Sequence, residues 1–138
     1  MPIVDPLTVP RPQSLGDVAS RTLGGESFDP LLREFLDSFY GQEAEGKASA
    51  IAHAPAPVAP IHDAYLAAVA EHLARRFKLA IPPWTEDPSR FLTKPFFAGN
   101  FESLKATLLV ESPAAFRRRL IFVSENALSR AREHASLA

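Results

Sequence analysis

The chain has 138 residues, 46% of them apolar, a net charge of −1 and no cysteine. Such a length supports one modest core, a near-zero charge excludes a strongly basic nucleic-acid binder, and the lack of cysteine excludes disulfides and thiolate metal sites. No apolar run approaches the roughly 20 residues of a membrane span, and Met1-Pro2-Ile3-Val4-Asp5-Pro6 lacks the layout of a signal peptide, so a cytoplasmic protein without membrane contact is expected. The charge is unevenly spread. Residues 1–60 carry eight acidic and four basic side chains, whereas residues 61–138 carry eight acidic and eleven basic ones.

Residues 1–13 hold Pro2, Pro6, Pro10 and Pro12, which predict a Pro-rich, polyproline-like arm. Ser14 reads as the N-cap of a short helix ending at Leu23, before Gly24-Gly25. Asp29-Pro30 reads as a cap followed by proline at the first helical position. Leu31, Leu32, Phe35, Leu36 and Phe39 then form an apolar stripe at helical spacing up to Gly41. Residues 42–60 pass from a polar run into Ala54-Pro55-Ala56-Pro57-Val58-Ala59-Pro60. They predict an Ala/Pro-rich internal linker acting as a hinge.

A helix is predicted over 61–79. Ile61, Tyr65, Val69, Leu73 and Phe77 recur every four residues, and Asp63, Glu71, Arg75 and Lys78 take the opposite face. Glu71 and Arg75 stand at the favourable i,i+4 spacing. Ile81-Pro82-Pro83 stops the helix, and Asp87-Pro88 caps a short helical turn through Leu92. Residues 94–99 form an aromatic loop, and Asn100 caps a helix from Phe101 to about Glu111, with Phe101, Leu104, Leu108 and Leu109 buried. Ser112-Pro113 and Ser124-Glu125 read as the starts of two further helices, over 113–119 and 124–133. The apolar run 120–123 between them is too short to build a sheet alone. The expected architecture is all-α: an irregular small helical domain, with an N-terminal piece over 1–60 and a main body over 61–138, forming one domain overall.

Residues for chemistry are sparse. His53, His62, His72 and His134 lack the i,i+4 pairing of zinc helices, so no metal ligand is assigned. No Gly-x-Ser-x-Gly elbow or glycine-rich phosphate loop is present, Ser112 and Ser124 are accounted for as caps, and Asp87, beside Glu86, also reads as a cap. No catalytic residue and no cofactor is therefore expected.

Two clusters remain. Arg117, Arg118 and Arg119, with Arg130 and Arg132 nearby, suit phosphate or carboxylate recognition, and equally a solvated or cap-bonding face. Trp84, Phe91, Phe96, Phe97 and Phe101 crowd a short stretch. They suit base stacking or a partner anchor, and equally a cluster that pins the loop to the main helix.

Several strings carry a resemblance. They are Arg33-Glu34-Phe35-Leu36-Asp37-Ser38-Phe39-Tyr40, then Tyr65-Leu66-Ala67-Ala68-Val69-Ala70-Glu71-His72-Leu73-Ala74-Arg75-Arg76. Pro83-Trp84, Asp87-Pro88, Arg90-Phe91-Leu92 and Glu111-Ser112-Pro113-Ala114-Ala115-Phe116-Arg117-Arg118-Arg119 follow. Over roughly 30–131 the chain resembles a family of uncharacterised bacterial helical proteins. Members are often fused behind a helix-turn-helix domain or encoded beside a nucleotidyltransferase-like toxin. The resemblance implies an antitoxin-like role, although no helix-turn-helix segment precedes residue 30 here.

The leading expectation is a non-enzymatic protein-interaction module that binds a partner protein, such as that toxin, through Arg117, Arg118, Arg119, Trp84, Phe96 and Phe97. The alternatives are a nucleic-acid-binding transcriptional regulator and a small enzyme of undetected type.

Overall fold

The computed structural model describes residues 10–98, 111–124 and 127–130. The fold is all-α, as expected, and is built on four helices: α1 (Leu15–Leu23), α2 (Phe28–Tyr40), α3 (Ala44–Ala52) and α4 (Pro60–Arg76). Two 3-10 turns follow at Pro83–Glu86 and Pro88–Arg90, then a short strand β1 (Phe96–Phe97), a one-turn helix α5 (Ala114–Arg117) and a strand β2 (Ile121–Phe122). All but the last residue of the expected helix over 101–111, with Phe101, Leu104, Leu108 and Leu109, and part of the one over 124–133 lie outside the described residues, as does most of the Pro-rich arm. Residues 127–130 are turn and irregular backbone instead of helix.

Local sequence explains most helix ends. The Ser14 hydroxyl accepts a hydrogen bond from the Asp17 N–H at the start of α1, and Gly25, at φ +108°, turns the chain beyond its end. Helix α2 begins two residues earlier than Asp29-Pro30 suggests, with Ser27 at the cap. Pro30 still lies in the first turn, where a missing N–H costs no helical bond. Helix α4 ends before the prolines, because Lys78 adopts a left-handed conformation (φ 56°) and the Leu79 N–H reaches back to the Ala74 carbonyl at 2.8 Å. That is a Schellman closure with lysine where glycine is usual.

The segment 42–60 departs from a simple linker. Its first half is α3, an alanine-rich helix whose Ala50 and Ile51 are buried. Alanine favours helix without producing an apolar stripe, which is why the segment reads as linker in sequence. Only residues 53–59 lie outside helix, and they are tied down. The Val58 N–H donates to Asp63 Oδ1 at 2.8 Å, and Arg90 donates to the Pro55 carbonyl at 2.7 Å.

Helix α4 is central. From Asp63 to Ala74 almost every side chain is buried, Glu71 included, so the solvent face expected from Asp63 and Glu71 does not exist. Ile61, expected at the start of the buried stripe, is instead 40% exposed. Alanines 64, 67, 68, 70 and 74 let neighbours approach α4 on several sides. Helix α2 brings Phe39 and Tyr40 to Phe77, with ring centroids 5.6 and 5.9 Å apart, and α5 brings Phe116 to Tyr65 at 5.1 Å. One buried cluster runs from Leu15 through α2 and α4 to Leu128, spanning both expected pieces of the chain.

The strands pair in parallel, Phe96 with Ile121 and Phe97 with Phe122. This small clip brings the aromatic loop beside the arginine corner.

Replacing Lys78 by glycine removes the left-handed penalty at the end of α4. The change is expected to stabilise the fold by about 0.5–1 kcal/mol in urea denaturation, less whatever unfolded-state entropy glycine adds. Phe35 is fully buried, so Phe35→Ala is expected to cost about 3–5 kcal/mol in the same assay, against less than about 0.5 for Leu23→Ala at a 56% exposed site.

Candidate functional site

The corner after α5 is assembled by three local features. Pro113 precedes the single helical turn, Phe116 is buried against α4, and Leu120, at φ 63°, reverses the chain into β2. Left-handed backbone at a bulky non-glycine residue is strained and needs support from its surroundings. That support comes from both sides of the peptide: the Leu120 N–H donates to the Arg117 carbonyl at 2.9 Å, and its carbonyl accepts from Phe96 at 2.8 Å.

The turn sends the three arginines in different directions. Arg119 is completely buried. Its guanidinium donates to Glu71 Oε1 at 2.6 Å, to the Ala115 carbonyl at 2.8 Å and to the Thr85 carbonyl at 2.7 Å, and lies 4.6 Å from the Phe91 ring centroid. Arg118 forks onto Glu86 at 2.7 and 3.0 Å, donates to Glu71 Oε1 at 2.7 Å and also flanks Phe91. Arg75 adds a third guanidinium, donating to Glu71 Oε2 at 2.8 Å. Arg117 is exposed.

Glu71 is therefore a buried carboxylate (1% exposed) held by three guanidinium groups. Burial pushes its pKa up, but the hydrogen bonds from Arg119, Arg75 and Arg118 outweigh that and hold it down at about 2. The same contacts raise Arg118 above the usual arginine range, through Glu86 first and then Glu71. At Glu86 the Arg118 hydrogen bond lowers the carboxyl pKa.

The three arginines of the expected partner surface thus differ in exposure. Arg119 is an internal cation and Arg118 a half-exposed one, each committed to carboxylates of the same chain; only Arg117 presents a free-standing corner charge. The Glu71–Arg75 spacing is legible in sequence, but the burial of Glu71 depends on arginines more than forty positions later. Ser112 is also reassigned. Its hydroxyl donates to the Val123 carbonyl at 2.9 Å and accepts from the Val123 N–H at 2.8 Å, so it links the entry and exit of the corner instead of capping a helix.

Trp84 is likewise a fastening. Its indole N–H donates to the Ile51 carbonyl at 3.0 Å, and the Arg90 guanidinium lies 4.9 Å from its ring centroid. Phe97 stacks on Phe122 with centroids 5.0 Å apart. Phe96 is partly buried and forms part of the wall of two clefts, shared with Ile61. One cleft, about 530 Å³, runs along Ser89, Phe91, Leu92, Lys94 and Pro95; the other, about 450 Å³, lies between α2 and the start of α4.

Of the histidines, His62 packs on Phe28, His72 faces Phe116 and His53 is exposed at the end of α3; His134 lies outside the described residues. Among the described residues no helix is long and apolar enough to cross a membrane, and no three His, Asp or Glu side chains converge as a metal site. No family model, curated protein or solved structure matches the chain.

Glu71→Gln leaves the buried Arg119 guanidinium without its anion and is expected to cost about 3–5 kcal/mol in urea denaturation. Arg75→Ala, at a side chain 59% exposed, is expected to cost about 1 kcal/mol or less. Acid titration separates the two effects. The folded-state pKa of Glu71 lies below the ordinary carboxyl value, so its stabilisation is complete above about pH 5 and is lost as pH falls towards 2. The expected loss is about 3 kcal/mol, read from chemical denaturation at stepped pH, with a flatter profile for Glu71→Gln.

Proposed function

We propose that the chain is a non-enzymatic protein-interaction module whose partner docks on the cleft bordered by Ile61, Phe91, Leu92, Lys94 and Phe96. One observation carries this reading: a cleft of about 530 Å³ with a mainly apolar wall lies open beside Ile61, which keeps 40% of its surface exposed. The lining carries Lys94 and one carboxylate, Asp63, which is already engaged by the Val58 N–H and Arg90. Such an apolar recess with a protruding aliphatic side chain and a lysine suits a partner segment that inserts an apolar anchor and offers a carboxylate to Lys94. The inward commitment of Arg118 and Arg119 argues in the same direction, because it takes two of three charges away from a phosphate-binding face.

The finer reading is antitoxin-like. In this reading the module neutralises a nucleotidyltransferase-like enzyme encoded beside it, as the resemblance over 30–131 implies. A cytoplasmic location accords with the cysteine-free composition.

The test is co-expression of the tagged chain with the product of the neighbouring reading frame. A stoichiometric complex is expected, weakened about tenfold or more by Ile61→Asp and by Lys94→Glu, with melting temperatures close to that of the parent and Leu23→Asp as a silent control. A complex indifferent to both substitutions moves the interface elsewhere. A duplex-DNA mobility shift in about 0.15 M salt, abolished by Arg117→Ala, replaces this reading with the regulator.

A further inference from the structure

The second cleft has a different chemistry. It encloses about 450 Å³ between α2 and the first turns of α4, within the range of small-molecule sites. Phe28, Leu32 and Leu36 form one wall, and Ile61 and Phe96 the other. The Phe28 ring lies 4.5 Å from His62 and meets Tyr65 edge-on at 5.8 Å, which fixes the positions of both polar rings.

Against this apolar lining stand hydrogen-bonding groups with no use inside the fold. Arg33 is an exposed residue at the mouth of the cleft with no ion pair among the described residues, and the Tyr65 hydroxyl makes no hydrogen bond among them. His62 also lines the cleft, and its Nδ1 is buried and unpartnered among the described residues. Asp29, the acidic residue of the cleft, already has a role in the first turn of α2, where it complements the helix dipole. It has a second effect: burial first, and the Asp29 charge after it, push the Tyr65 phenol up to about 12, so the hydroxyl stays a donor. Donors that line one apolar recess suit a ligand group that only accepts, and a carboxylate facing a guanidinium gains charge assistance as well.

We propose that this cavity binds a small free carboxylic acid with an apolar body, its carboxylate on Arg33 and Tyr65 and its body against Phe28, Leu32 and Phe96. The site is separate from the partner cleft in its donors, so either assignment stands without the other.

The test is protein-observed NMR titration of the full chain with phenylacetate, phenethyl alcohol and phenethylammonium as probes. Saturable shifts at α2 and the start of α4 are expected for phenylacetate, with a Kd of roughly 0.1–1 mM and binding about tenfold weaker for the alcohol and the ammonium. Arg33→Gln and Tyr65→Phe are each expected to weaken phenylacetate by about three- to tenfold and to leave the alcohol unchanged. Equal affinity for all three probes, preference for the ammonium, or no saturable shift up to about 10 mM overturns the proposal. A peptide ending in phenylalanine that binds more tightly than phenylacetate overturns the free-acid assignment and gives the site to a partner's chain terminus.

Discussion

A carboxylate removed from water must either take up a proton or be surrounded by enough charge and hydrogen bonding to remain ionised. Glu71 takes the second course, and much of the structure is arranged around it. Its position at the middle of α4 draws Arg119 inside, Arg119 draws the Thr85 and Ala115 carbonyls toward it, and Phe91 covers the guanidinium plane. The 3-10 turns, α5 and β2 are thereby referred to one point on one helix. Hydrophobic burial supplies most of the stabilisation, but it has little directional preference; this network sets the angle at which the C-terminal third meets α4.

Turning the arginines inward also changes which surface is available for recognition. What remains outside is a ridge, Ile61 with Phe96, between two recesses of unlike chemistry. One is mostly apolar, with Lys94 and Asp63 among its lining residues. The other carries several donors and one acidic residue. Ile61 and Phe96 line both recesses, so the proposed macromolecular contact and the proposed small-ligand contact share a wall even though their hydrogen-bonding groups differ.

The parts of this fold legible in sequence are those set by neighbours in the chain. Ser14 with Asp17, Gly24-Gly25, the α2 stripe and the Asp87 cap, whose carboxylate accepts from the Ser89 N–H, depend on contacts a few residues apart. The misread parts depend on distant ones. Glu71 reads as a surface partner of Arg75 because nothing within one helical turn reveals the two arginines arriving from α5. Ser112 reads as a cap because the Ser-Pro pattern is local, whereas its actual partner, Val123, lies across the corner. Helix α3 escapes for another reason: with two buried residues near its end it has no stripe to read. For the recognition surface, the arginines and Trp84 are visible as residue types, but their inward use is not.

The chain order of the Glu71 contacts has a consequence for synthesis. Glu71 leaves the ribosome 48 residues ahead of Arg119, and Asp37 leaves it 93 residues ahead of Arg130. Throughout that interval α4 has its alanine faces, Glu71 and the exposed Arg75, but lacks Arg118 and Arg119, which complete the compensation of the Glu71 charge. A nascent chain halted before the arginines therefore gains little by packing α4 tightly, and its core residues stay open to exchange, to chaperones or to a waiting partner. Completion of the corner would then close the centre of the molecule in a late step, with the last third of the chain acting as the lock for the part made before it.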